Sequence, residues 1–263
     1  MTAPGLFSMP AWGRPLVSLA GFLLLWQALV MSDRVPQEYL PGVPAIVKAL
    51  IELVGSKEFW TGEALTLARA VGGLLLASAT GIGLALLGAR YRVVERALSP
   101  LVQLMVSLPP AALVPLSIFA FGLGASLFTF IIWFACIWAI YLSAVNALKS
   151  SEPVQVHVAR TFGYGDWAIL LRVRLPSAWP EISSGIRIAA AGSLMAAVAA
   201  EMLAGKDGLG FLLYDSAFSL RIPEMFALLG VFGLNGMLLN AAVMRARRAI
   251  AGWHDQLAAM ASA

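Results

Sequence analysis

An all-α, polytopic membrane protein with six transmembrane helices is the fold expected from this sequence of 263 residues. Only 12% of the residues are charged while 60% are hydrophobic, against about 25% and 45–50% in soluble domains. Several uncharged runs reach the roughly 20 residues that a bilayer core requires. Lys and Arg are unevenly divided between alternate loops, as they are in membrane proteins of fixed orientation.

The first span is expected at 15–32. It has a signal-peptide-like look, since Arg14 precedes an apolar run, but no small-x-small cleavage site follows, so it reads as a retained helix. A polar stretch, 33–63, contains a short helical pattern at 44–54 suited to an interface. The second span is expected at 70–89 between Arg69 and Arg90. The uncharged run 97–148 is too long for one crossing. Gly122 and Gly124 mark its turn, giving a third span at 99–120, kinked by Pro109, Pro110 and Pro115, and a fourth at 127–147. The fifth is expected at 182–204 and the sixth at 225–244. The chain then divides into 1–60 (first span and connection), a core over 61–250 and a polar tail over 251–263.

Six spans put both termini on one side. The terminal segments and the loops after the second and fourth spans hold 12 of the 18 Lys and Arg residues, the other side 6. The termini, and the loop after the fourth span, are therefore expected in the cytoplasm. Small residues recur four apart at Ala77, Gly81, Ala85 and Ala89, and again at Gly185, Ala189, Ser193 and Ala197. Such rows let helices approach closely, within one bundle or between subunits.

The loop after the fourth span is the patterned part. Pro153 suits a helix start, Gly163 and Gly165 interrupt, Asp166 is an expected N-cap, and Leu175-Pro176 closes the unit. Phe162, Trp167, Ile169 and Leu170 give it apolar surface of the kind that meets a partner.

Here the sequence resembles the permease subunits of binding-protein-dependent ABC importers. Their cytoplasmic motif is Glu-Ala-Ala, three residues, Gly, nine residues, Ile-x-Leu-Pro. This chain has His157-Val158-Ala159, Arg160-Thr161-Phe162, Gly163, nine residues, then Val173-Arg174-Leu175-Pro176. "LPSAWPEISSGIRIA", "AAEMLAGKDGLGFLL" and "RAVGGLLLASATGIGLALLG" are similar to the sulfonate, nitrate and taurine permease group in particular. The resemblance covers about 60–250 and departs from the pattern at His157, where the family has Glu, and at Val158.

It implies a type I importer permease in which 149–180 is the coupling segment, contacting an ATPase through His157, Val158, Ala159, Arg160, Gly163, Val173, Leu175 and Pro176. It implies an outer loop at Glu201, Gly208, Leu209 and Gly210 that serves as a gate or meets the binding protein. Asn146, Ser193, Asn235 and Asn240 are candidates to line a translocation path. The implied partners are a second permease copy, two ATP-binding subunits, a soluble or lipid-anchored substrate-binding protein and membrane lipid, with no nucleic acid. The implied place is the bacterial cytoplasmic (inner) membrane.

No Gly-x4-Gly-Lys-[Ser/Thr] phosphate loop is present, so ATP and Mg are expected on the partner ATPase and no cofactor on this chain. His157 and His254 lack neighbouring Cys or His, which argues against a metal site. Cys136, alone in an apolar run, reads as a small hydrophobe. No clustered His, Asp or Glu suggests catalysis, so the chain is expected to be a transport subunit and not an enzyme. The alternatives are an ATP-independent secondary transporter and an integral membrane enzyme. The cargo implied by the resemblance is a small anion such as a sulfonate, taurine or nitrate.

Overall fold

A computed structural model describes residues 13–32, 36, 38–150 and 153–261, without the side chains of 13–16, 153 and 250–261. Every regular element among these residues is helical. The helices are α1 (Gly13–Met31), α2 (Val43–Val54), α3 (Lys57–Arg90), α4 (Arg92–Val106), α5 (Val114–Phe121), α6 (Ala125–Lys149), α7 (Pro153–Thr161), α8 (Asp166–Ile169), α9 (Leu175–Ala204), α10 (Leu209–Phe218) and α11 (Ile222–Ala261).

Among the described residues, four helices are long and apolar enough to cross a membrane: Lys57–Arg90, Ala125–Lys149, the continuous Asp166–Ala204, and Ile222–Ala249. The expected first span is a shorter apolar helix in the described part, Val17–Met31. The expected third span is corrected. It is two helices, Arg92–Val106 and Pro110–Phe121, bent by 95°, so among the described residues four spans, or five with this broken one, are long and apolar enough, and the expected first span lies partly outside the described side chains. The break follows from Pro109 and Pro110. Proline lacks an N–H and biases its predecessor away from the helical region. The chain there passes through one 3₁₀ turn, Pro110–Leu113, before α5 begins. Gly122, at φ 71°, then makes the expected turn into α6.

Local signals account for most other boundaries. Ser56 caps α3, its hydroxyl accepting from the Phe59 N–H at 3.2 Å, which satisfies one orphan donor of the first turn. The expected interfacial helix at 44–54 is α2, started by Pro44 after Gly42. The expected cap at Asp166 is corrected: Gly165 occupies the N-cap and Asp166 is the first acidic residue inside α8. α11 runs unbroken to Ala261, through most of the expected tail segment 251–263.

The core is built around α6, which buries thirteen residues between α3 and α9. Both small-residue rows are used here. A side chain at Gly73 would collide with Ile132, and one at Gly185 with Ser143. Ala77, Ala85, Ala189, Ser193 and Ala197 are buried. Along these rows α3 and α9 pack on α6 within one chain. Two polar contacts pin the seams: Trp133 donates to the Thr80 hydroxyl at 2.9 Å, and the Cys136 thiol donates to the Ala189 carbonyl at 3.3 Å. Apolar side chains remain exposed elsewhere, up to Phe119 on α5 at 90%.

Candidate functional site: two loops at opposite ends of the bundle

The first site is the α7–α8 hairpin. Val156 and Ala159 on α7 bury against Ile169, with Val173 packed beside them. The turn is a Schellman motif: Tyr164 N–H donates to Ala159 O at 3.2 Å and Gly163 N–H to Arg160 O at 2.9 Å. This closure puts Gly163 at φ 79°, where an L side chain costs about 1–2 kcal/mol.

The hairpin is tied to the end of α3. The Asp166 carboxylate pairs with Arg90 at 3.5 Å and with Arg160 at 3.6 Å. Tyr91 meets Trp167 edge to face, centroids 6.4 Å apart. Lys149, at the end of α6, pairs with Glu95 on α4. These ion pairs are partly exposed and are worth about 0–1 kcal/mol each; their service is orientation.

From α8 the helix runs on into α9 through a wider π-type turn, Leu170–Arg174, in which Leu175 N–H reaches Leu170 O. Pro176 and Pro180 lack the N–H groups that would bond the carbonyls of residues 172 and 176. The junction between α6 and α7 falls on residues 151–152, outside the described residues.

Of the residues singled out for this segment, Ala159 and Val173 turn inward and hold the hairpin together, and Leu175 is half-buried against the core. His157, Val158, Arg160, Gly163 and Pro176 are exposed. With Val154, Phe162, Tyr164, Trp167 and Leu171 also exposed, this end of the bundle carries an apolar surface edged by charge. Sequence reasoning missed Arg90 and Tyr91 as the anchors of the segment.

The second site lies at the other end of α9. Glu201 is fully buried. One oxygen accepts from Arg69 Nη1 at 2.8 Å. The other accepts from the Thr66 hydroxyl at 2.8 Å and from the Gly210 N–H at 3.0 Å. Thr66 in turn accepts from the Leu209 N–H at 2.9 Å. Arg69 also reaches Asp207 Oδ1 with Nη2 at 2.6 Å, and its guanidinium lies 4.0 Å from the Phe128 ring centroid. A carboxylate this deep is tolerable because each oxygen is paired and hydrogen-bonded.

The loop could not sit there with other residues. Gly208 has φ 96° and ψ 165°, a region that is essentially glycine-only. A side chain on it would strike the Glu201 carboxylate, and one on Gly210 would strike the Val198 carbonyl. The structure thus brings all four expected outer-loop residues together, with Leu209 also fully buried. The Glu201 carboxylate is turned into the chain and is spent on α3 and the loop. Thr66, Arg69, Phe128 and Asp207 were missed. The available signal was Arg69, a charge three residues after Thr66 at the head of an apolar run.

The four path candidates do not share a site. Ser193 is buried and donates to its own helix at Ala190 O. Asn235, also buried, donates to Glu63 at 2.9 Å. Asn240 accepts from Arg187 Nε at 2.8 Å, a bond that ties α9 to α11. Asn146 is exposed on α6.

Comparison with known proteins identifies the family. Residues 63–253 match the model of the family described as binding-protein-dependent transport system inner membrane component. The taurine transport system permease protein TauC of Escherichia coli is 27% identical, over 91% of this chain and 89% of that one. The nitrate import permease protein NrtB of Leptolyngbya laminosa is 34% identical, over 70% of this chain and 66% of that one. Among solved structures, an inward-facing form of the MetNI methionine ABC transporter aligns with a TM-score of 0.59 at 19% identity, covering 76% of this chain and 97% of that one. The chain therefore belongs to the binding-protein-dependent transport system inner membrane components, the multi-pass permeases of ABC importers.

Proposed function

We propose that this permease moves a small anion, of the sulfonate, taurine or nitrate kind, by alternating access driven by separate ATP-binding subunits. Two copies of the chain form the path, and a soluble or lipid-anchored binding protein delivers the cargo to the end that carries Glu201. ATP and Mg belong to the ATPase; this chain has no phosphate loop for them. Both termini and the α7–α8 hairpin face the cytoplasm, in keeping with the Lys and Arg bias.

The observation that carries the reading is the hairpin. It presents His157, Val158, Phe162 and Leu171 outward while its second half is one continuous helix with α9. A partner seated on that face acts directly on a helix that packs on α6 and carries Glu201 near its far end. His157 replaces a carboxylate of the family motif, which shifts one polar contact and leaves the apolar ones in place. The cargo class rests on relatives named for taurine and nitrate.

The test is co-purification. Phe162→Ser with Leu171→Ser should abolish recovery of the ATP-binding subunit while the permease remains monodisperse in detergent. Unchanged recovery retires the hairpin as the docking face. Taurine uptake by the reconstituted permease alone, without an ATPase, would overturn the ATP-driven reading.

A further inference from the structure

Arg187 is a charge placed deep in the membrane. It lies in the spanning helix Asp166–Ala204, two residues from Ala189, whose carbonyl accepts from the Cys136 thiol at 3.3 Å. α6 and α9 run in opposite directions, so that bond sets Arg187 level with about residue 138 of α6. This level is about 20 Å from one end of α6 and about 16 Å from the other, at 1.5 Å per residue. Half of a bilayer core is about 15 Å, so Arg187 stands near the midplane. The residue is exposed. Its Nε donates to Asn240 Oδ1 at 2.8 Å, which fixes the guanidinium at that depth and keeps it from extending to the headgroups. Its two Nη groups have no acceptor among the described residues.

A cation at this depth faces a water-filled cavity or a counter-charge. The four long helices carry six carboxylates: Glu58, Glu63, Asp166, Glu181, Glu201 and Glu224. Glu201 and Glu63 are engaged at the outer end. The nearest in depth is Glu181, about 9 Å along α9 toward the hairpin. Copies that share one membrane share their depths, so a second copy brings no carboxylate level with Arg187 either. Lipid phosphates lie beyond the hydrocarbon, about 15 Å away. We infer that Arg187 is the station of the translocation path that binds the permeating anion, its two Nη groups taking two oxygens of a sulfonate or nitrate side by side. Asn240 is its positioning residue. The inference rests on the anion-import reading above and adds the residue that selects for negative charge. One turn beyond the pair, toward the end that carries Glu201, the seam of α9 and α11 opens into a groove of about 480 Å³ lined by Ala191, Met195, Gly233 and Gly236 among others. The guanidinium is thus approached from that end.

Ser184 offers the test, since it is exposed one turn from Arg187 on α9, where residues three apart are neighbours. In a Cys136→Ala background, Ser184→Cys in the assembled transporter should react with the anionic, membrane-impermeant sulfonatoethyl methanethiosulfonate faster than with its trimethylammonium counterpart. Adding Arg187→Gln should lower that rate ratio by about tenfold. No reaction at Ser184→Cys overturns the inference, and so does a ratio that Arg187→Gln leaves unchanged. In proteoliposomes with the ATP-binding subunits and the binding protein, uptake of taurine, methanesulfonate or nitrate should fall by about tenfold or more in Arg187→Gln. Arg187→Lys should recover part of it, and both complexes should still elute as one species. Full uptake by an intact Arg187→Gln complex also overturns the inference. If the wild-type complex imports none of the three, the cargo class fails, while the labelling ratio still decides on Arg187.

Discussion

The carboxylate of Glu201 and the guanidinium of Arg69 meet at 2.8 Å across 132 residues of sequence. Arg69 sits on α3, Glu201 near the end of α9, and the loop 205–210 is folded over both. The pair therefore joins the two helices that flank α6 and seats the loop in the same stroke.

Breaking that pair should be costly. Glu201→Ala would leave the Arg69 charge partly buried with only Asp207, and Arg69→Ala would strand a fully buried carboxylate. Removing one partner of a buried pair typically costs about 3–5 kcal/mol. Thermal unfolding in detergent should show a large drop in Tm for Arg69→Ala. Asp207→Asn, at an exposed side chain, should change it little. Equal shifts for the two would show that the buried carboxylate is not the anchor.

Gly208→Ala should be destabilising out of proportion to one methyl group. The backbone region it occupies costs a non-glycine residue about 1–3 kcal/mol, and the added Cβ meets the Glu201 carboxylate. Limited proteolysis of the 205–210 loop should become faster in this variant. Gly72→Ala, on α3 where nothing lies within 4 Å, is the matched control and should be neutral or mildly stabilising.

Gly163→Val should hold the purified transporter together while separating ATP hydrolysis from uptake. The substitution strains the Schellman turn and re-aims Phe162 and Tyr164 without touching the core. Uptake in proteoliposomes should fall more steeply than ATPase activity. Parallel loss of the two would mean that the turn governs assembly instead.

His157→Glu restores the carboxylate of the family motif at an exposed position. A single exposed polar contact is worth about 0–1 kcal/mol, so affinity for the ATP-binding subunit should change by no more than about fivefold. Titration by microscale thermophoresis reads this directly. A hundredfold change would mark residue 157 as a principal docking contact.

Packing around α6 gives the last expectation. Gly185→Leu drives a large side chain into Ser143 where α9 packs on α6. Overpacking of this kind costs about 1–3 kcal/mol. Reduced yield of monodisperse protein in detergent checks it.

The legible parts of this fold were those with local or covalent causes. Proline and glycine punctuation located the hairpin at 163–165, the turn at Gly122 and the kink near Pro109, and hydropathy located the long helices. The double proline produced a full break because the two N–H groups it removes are adjacent, and a run of apolar letters conceals that. The small-residue rows were visible, but their partner was not. Ile132 and Ser143 are identified by contact alone, and nothing in the spacing of glycines distinguishes a neighbour in the same chain from one in another. The clamp was half legible. Glu201 and the two glycines stand within ten residues of one another, whereas Thr66 and Arg69 approach them only in the folded chain.

The near-central position of Gly185 in its helix has a mechanical consequence. From Asp166 to Gly185 the rod measures about 28 Å, and from Gly185 to Glu201 about 24 Å, at 1.5 Å per residue. At Gly185 the rod passes so near α6 that an added Cβ would strike the Ser143 side chain, and a pivot at that crossing would divide the rod nearly in half. Rocking about it transmits displacement almost one for one and in the opposite sense. A shift of about 3 Å imposed at the hairpin would emerge as roughly 2.5 Å at the clamp. With arms so nearly equal, such a pivot would neither amplify nor damp a displacement applied at the hairpin.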